Sequence, residues 1–357
     1  MCLGPQNTAV QEPSTSTIYR SVPHSQAFAA EGVNLSTTMD LIGHQARIDE
    51  ICVAPNNRFV ASRDRDGVCF LWTLQANGSY VGVRLAMDQD DAYSSKTVFT
   101  FNRDGSQLIT VLTDHRLHFL ATASPEQEGQ ILSLKKDEDF LPASSALALS
   151  EEVLAVGGHD GGLYLADRKS GKVTKQLVPP HDEKDRMTRN YTILQYLPNA
   201  MHFFAANNSV VRTSSSAHAP RIVDWHAGKD VVVMDGRGSY DMGQFIPAAK
   251  DRMFLVTCGE SRGLALFENS TLKPVDGQPI LSRSGIGRLN EDLTLGCDKA
   301  SFALIRLNEE QKLTEERWKH EWQQAIRCVG SAELGGAVFL GLDEGVIRIV
   351  EIVPDAE

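Results

Sequence analysis

Asp66-Gly67-Val68-Cys69-Phe70-Leu71-Trp72-Thr73 places a tight turn ahead of a short apolar run, and Asp160-Gly161-Gly162-Leu163-Tyr164-Leu165-Ala166-Asp167 repeats the pattern. Looser copies begin at Asp114, Asn207, Ser261, Asp298 and Glu344. Successive turn residues are 48, 46, 47, 54, 37 and 46 positions apart, a mean near 46. Asp or Asn accepts backbone N–H bonds in such a turn, and a following Gly tolerates positive φ. Apolar residues after the turn bury a sheet face against a neighbouring sheet. Self-similarity at this period predicts an all-β propeller of seven blades, each a four-stranded sheet.

The expected strands of blade one lie around Ile48 to Val53, Arg58 to Ser62, Val68 to Leu74 and Tyr80 to Leu85. Six further blades follow. The step of 54 places an insertion in blade five, around Met234 to Asp241. Blade seven has only three candidate strands, at Ala325 to Val329, Ala337 to Leu340 and Val346 to Val353. Leu35 and Leu41-Ile42 remain over at the other end of the repeat region. The N-terminal strand is therefore expected to pair with the last blade and close the ring, which removes exposed strand edges. Residues 1–34 are rich in Ser, Thr, Gln and Pro without periodicity and are expected to be a disordered tail. The propeller is expected over 35–353, with a short C-terminal tail at 354–357.

Composition narrows the function classes. Net charge is −11, from 35 Lys and Arg against 46 Asp and Glu, and no basic run reaches four residues. Binding a phosphate backbone needs a concentrated positive surface, so direct nucleic-acid binding is disfavoured. No membrane span is expected, because no stretch approaches the roughly 18 apolar residues required. The start, Met1-Cys2-Leu3-Gly4-Pro5, lacks the basic and apolar regions of a secretory leader. None of the six cysteines forms a C-x-x-C pair. Reduced thiols in strands suit a cytoplasmic or nuclear location.

Catalytic signatures are missing. Gly236-Arg237-Gly238 and Ser284-Gly285-Ile286-Gly287 are loop fragments, not phosphate-binding loops. The ten histidines are dispersed. His115 and His118 are three apart in a predicted strand and make a poor metal pair. No cofactor and no metal ligand set are expected.

Gly43-His44, Asp66-Gly67 and Leu71-Trp72 resemble the WD40 repeat family, with Thr73 where that family usually has Asp. The resemblance implies a hydrogen-bonded network inside a blade, in which His44, Asp66 and Trp72 take three parts and a Ser or Thr the fourth. Leu120, Ala166, Phe267 and Val350 stand near positions where the family has Trp. The resemblance covers about 320 residues but is diffuse.

These features point to a non-enzymatic scaffold that binds one or more proteins or peptides of a larger assembly. Rigid frames with exposed loops commonly serve recognition. Candidate partner-binding residues are the charged loop His181, Asp182, Glu183, Lys184, Asp185 and Arg186, with Trp318 and Trp322, since Trp is enriched in hot spots. The acidic balance, including Asp137-Glu138-Asp139, supports a second reading as a reader of basic peptides such as histone tails. A third reading is a metal-dependent propeller hydrolase or lactonase, with ligands gathered at the central channel.

Overall fold

Asp66, Asp114, Asp160 and Glu344 stand between the second and third strands of their sheets, and Asn207 and Asp298 end the second strand of theirs. Gly67, Gly161 and Gly345 each follow an acidic residue there and adopt φ of 80°, 82° and 77°. The computed structural model describes residues 18–30, 33–85, 99–112, 114–180, 191–197, 201–207, 221–233, 242–248, 252–258, 263–268, 274–278, 285–290, 293–298, 301–307, 313–319, 324–332 and 335–352. Among them there is no helix, and so none long and apolar enough to cross a membrane.

Two N-terminal strands, β1 (Ile18–Ala30) and β2 (Val33–Ile42), precede the repeats. The first blade is β3 (Ile48–Val53), β4 (Phe59–Asp64), β5 (Cys69–Leu74) and β6 (Tyr80–Arg84). The second is β7 (Phe99–Phe101), β8 (Gln107–Val111), β9 (Leu117–Ala121) and β10 (Gln130–Leu132). A small hairpin, β11 (Lys135–Lys136) and β12 (Asp139–Phe140), follows. The third blade is β13 (Ala143–Ala148), β14 (Val153–Gly158), β15 (Leu163–Asp167) and β16 (Val173–Val178). The fourth is β17 (Tyr191–Tyr196), β18 (His202–Asn207), β19 (Arg221–Asp224) and β20 (Lys229–Val233). The fifth is β21 (Met242–Ala248), β22 (Arg252–Cys258), β23 (Gly263–Glu268) and β24 (Pro274–Gln278). The sixth is β25 (Gly285–Arg288), β26 (Thr294–Asp298), β27 (Ser301–Leu307) and β28 (Leu313–Lys319). The last run starts with β29 (Ile326–Ser331), β30 (Ala337–Leu342) and β31 (Val346–Ile352), and β2 completes it.

All these pairings are antiparallel, and the first strands of successive blades touch in sequence. The circle β3, β7, β13, β17, β21, β25, β29 returns to β3. Closure depends on β2, which pairs with β31 from Leu35↔Ile352 to Ile42↔Val346. Asp40 lies opposite Arg348 in that ladder, and its carboxylate accepts two guanidinium N–H bonds of 2.8 Å. Both residues are buried, so the chain ends are joined by a charge-assisted, bidentate contact.

The boundary expected at residue 34 is corrected. Residues 18–30 form β1, which pairs with β2 and, through Ile18, Tyr19 and Arg20, with β6. This strap joins the first and last blades into one nine-stranded sheet. Its residues alternate with no regular period, although Tyr19 packs edge-on against Phe70 and Ser21 Oγ accepts the Tyr80 N–H. Residues 1–17 and the tail at 354–357 lie outside the described residues.

The core sits between blades. Phe59, Ala61 and Leu71 of the first pack on Phe99, Phe101 and Leu108 of the second. From the opposite face of the first blade, Val60, Phe70 and Trp72 pack on Phe339, Ile347 and Ile349 of the last. The first sheet thus buries both faces, which explains why its strands read as nearly continuous apolar runs.

Candidate functional site

The polar cluster implied by the family resemblance exists in the first blade, with one member exchanged. His44 precedes β3, and its Nδ1 lies 2.9 Å from Asp64 Oδ2 while its Nε2 lies 2.8 Å from Ser62 Oγ. Trp72 Nε1–H donates to the same Ser62 Oγ at 2.9 Å. The neutral tautomer with its proton on Nδ1 satisfies every atom: His44 donates to Asp64, Ser62 donates to Nε2, and Trp72 donates to Ser62. Asp66 is not a member. It is exposed in the turn, whereas Asp64, at the end of β4, faces inward. The second oxygen of Asp64 accepts the backbone N–H groups of Asp66 and Val68, at 3.0 and 2.9 Å. One carboxylate therefore holds both the network and the turn. Gly82 lies opposite Trp72, and a Cβ there would come within 2.6 Å of the indole. All four network residues are buried, so no substrate reaches them. Their chemistry is structural.

The expected partner-binding residues are not brought together in the described structure. His181, Asp182, Glu183, Lys184, Asp185, Arg186 and Trp322 lie outside the described residues, as does the blade-five insertion. Trp318 lies on β28, opposite Phe302 of β27.

One rim of the ring is stitched by the turns between first and second strands. Gly336 N–H donates to Leu289 O, and Asn57 donates to Gly335 O. Asn56 donates to Asp104 O at 2.8 Å, and Arg103 reaches Leu197 O in the fourth blade. Tyr196 carries the chain back to Ala148 of the third. The opposite rim carries the turns between second and third strands. There Arg327 pairs with Asp343, and Arg47 with Asp49. Among the described residues no group of three or more His, Cys, Asp or Glu is placed to hold a metal ion. Burial pushes the Cys52 and Cys69 thiols up to about 12 and raises Cys328 as well, so these cysteines behave as small apolar groups.

The fourth blade exposes apolar residues along its outer strand and in the turn before its second strand. Met201, Val231 and Val233 are 47%, 40% and 45% exposed, three of the seven large exposed apolar residues among those described. Trp225 N–H donates to Met201 O at 3.2 Å, and its indole stacks on His226 with centroids 3.7 Å apart. Val231 and Val233 sit on β20, the outermost strand, whose far edge is unpaired in the sheet. Sequence reading missed the exposed valines because exposure depends on which strand lies outermost.

No family model matches the chain, and no curated protein sequence does. Solved structures do. The β-propeller domain of Cps50 (Swd1) from Myceliophteria thermophila superposes with a TM-score of 0.61 at 12% identity, over 87% of this chain and 98% of that one. The WD40 β-propeller domain of Doa1 superposes with a TM-score of 0.60 at 13% identity, over 89% of this chain and 97% of that one. At such low identity the likeness establishes the fold alone.

Proposed function

Starting from a WD40-type β-propeller fold, we propose that this chain is a non-enzymatic scaffold that binds other proteins within a larger assembly. The observation that carries the reading is the pair of exposed valines, Val231 and Val233, on the outermost strand of the fourth blade. Outermost strands are normally blunted by charge, proline, glycine or cover. β1 covers β6 and β2, β16 exposes Thr174, Lys175 and Gln176, and β24 contains Pro274 and Gly277. The β28 sequence carries Glu315, Glu316, Arg317 and Lys319. β10 exposes one large apolar residue, Ile131, whereas β20, which starts after the turn that holds Trp225 and His226, exposes Val231 and Val233 beyond its two charges, Lys229 and Asp230. The occupant we assign is an extended segment of a partner protein, added as a further strand, with apolar side chains on Val231 and Val233. A second copy of the chain is the poorer fit, because two bodies of charge −11 repel.

The test is affinity purification of the full chain from cells beside a Val231→Lys, Val233→Lys double variant. A stoichiometric partner that is lost from the variant supports the reading. A lone monomer in both purifications, or an unchanged partner, contradicts it. The second reading, as a reader of basic peptides, draws on the exposed hairpin tip Asp137-Glu138-Asp139. Salt-sensitive binding on peptide arrays, weakened by reversing those charges, would favour it.

A further inference from the structure

His115 and His159 are 44 residues apart, yet both stand in turns between second and third strands, in adjacent blades. Their ring centroids are 4.8 Å apart at an interplanar angle of 57°. Both are tied to one dipeptide at the entry to the third blade. His115 accepts the Ala143 N–H at 3.1 Å through its carbonyl and directs Nδ1 at Ala143 O, 3.2 Å away. His159 donates its backbone N–H to Pro142 O at 2.8 Å. The Nδ1 contact to a carbonyl places the proton of His115 on Nδ1 and leaves Nε2 with a free lone pair, as in metal-ligating histidines. His115 also holds φ of 65°, a left-handed conformation unusual for a side chain of this size.

Two imidazoles bound to one ion at 2.0–2.1 Å, at ligand angles between octahedral and tetrahedral, have centroids about 4.5 to 5.2 Å apart. The observed separation falls in that window. We propose that His115 and His159 form a two-histidine site for a divalent transition-metal ion of the Zn²⁺ or Ni²⁺ class, which clamps the second blade to the third. The remaining coordination positions are open to water or to a partner's side chain. The charged groups around the pair are already engaged. Asp160 accepts the Gly162 N–H and the Tyr164 hydroxyl, Lys136 lies over the Tyr164 ring, and Asp114 pairs with Arg116. His159 is exposed and His115 half-buried, so an ion reaches them from solvent.

Titration calorimetry of the purified full chain with ZnCl₂ alone, and separately with NiCl₂ alone, tests the site. The variants are His159→Ala and His115→Asn, the latter because Asn tolerates the left-handed backbone. One equivalent is expected to bind, with affinity weakened about tenfold or more by either substitution. Zn²⁺ should raise the thermal midpoint of the wild type and leave that of His159→Ala unmoved. Circular dichroism checks that both variants keep the native sheet content. Equal binding by wild type and both folded variants, or no binding by the wild type, would overturn the proposal.

Discussion

The first and second blades solve one packing problem in different ways. In the first, Ser62 lies opposite Phe70 and Val60 opposite Trp72. The same register places Thr110 opposite His118 and Leu108 opposite Leu120 in the second. Every polar atom of the first set is paired, through His44 and Asp64. In the second, Thr110 Oγ1 and His118 Nδ1 are buried with no partner among the described residues. The third blade puts Tyr164 at the matching position and binds it to Asp160, and the last puts Arg348 there and binds it to Asp40. The fold thus requires buried strands of matched register, not one polar signature. That is why Leu120, Ala166 and Val350 replace a Trp without loss of the sheet.

Breaking the first blade should cost most. Trp72→Ala removes a fully buried indole and a donor to Ser62, and is expected to destabilise by about 5 kcal/mol in urea denaturation. Asp40→Ala removes the carboxylate that accepts two N–H bonds from the buried Arg348 guanidinium at the ring closure, an expected loss of about 3 kcal/mol by the same measurement. A smaller effect separates two neighbouring acids. Asp64→Ala is expected to lose about 2 kcal/mol, because His44 and two backbone N–H groups lose an acceptor. Asp66→Ala, in the exposed turn, should stay within about 0.5 kcal/mol. Equal losses for the two would refute the exchange of Asp66 for Asp64.

The smallest effect is in the second blade. His118→Leu removes a buried polar atom that has no partner, so stability should be unchanged or rise by about 1 kcal/mol. Burial lowers the His118 titration point below the ordinary histidine value of 6.5. The unfolded chain therefore takes up the proton first, and this residue favours folding fully above pH 6.5 and progressively less below it. Wild-type stability should fall as the pH drops below 6.5, and the fall should be shallower in His118→Leu. An identical slope in both proteins would show that His118 titrates as it does when unfolded.

What could be read in advance was local chemistry. The acidic residue and Gly at 66–67, 160–161 and 344–345 mark turns whichever blade they join. The missing fourth strand of the last blade pointed to residues 35–42 because an open edge must be covered. Asp64 was also within reach: Ser62 and Asp64 are two apart on one strand and must share a face, while Asp66 lies beyond the strand end. The strap β1 left no periodic trace, because backbone pairing holds it with only single side-chain contacts such as Tyr19 on Phe70. The pairing of His115 with His159 and the exposure of Val231 and Val233 on the outermost strand of the fourth blade arise only when distant turns and edges are placed in the fold. The charged loop 181–186 and Trp322 stay proposals resting on composition.

Closure of the ring by β2 is the claim on which the architecture turns, and native-state hydrogen exchange followed by mass spectrometry addresses it directly. Peptides covering residues 33–42 should exchange as slowly as those covering 346–352, since each strand opens only when the other does. Exchange of 33–42 within seconds, while 346–352 stays protected, would show a ring whose ends are not joined.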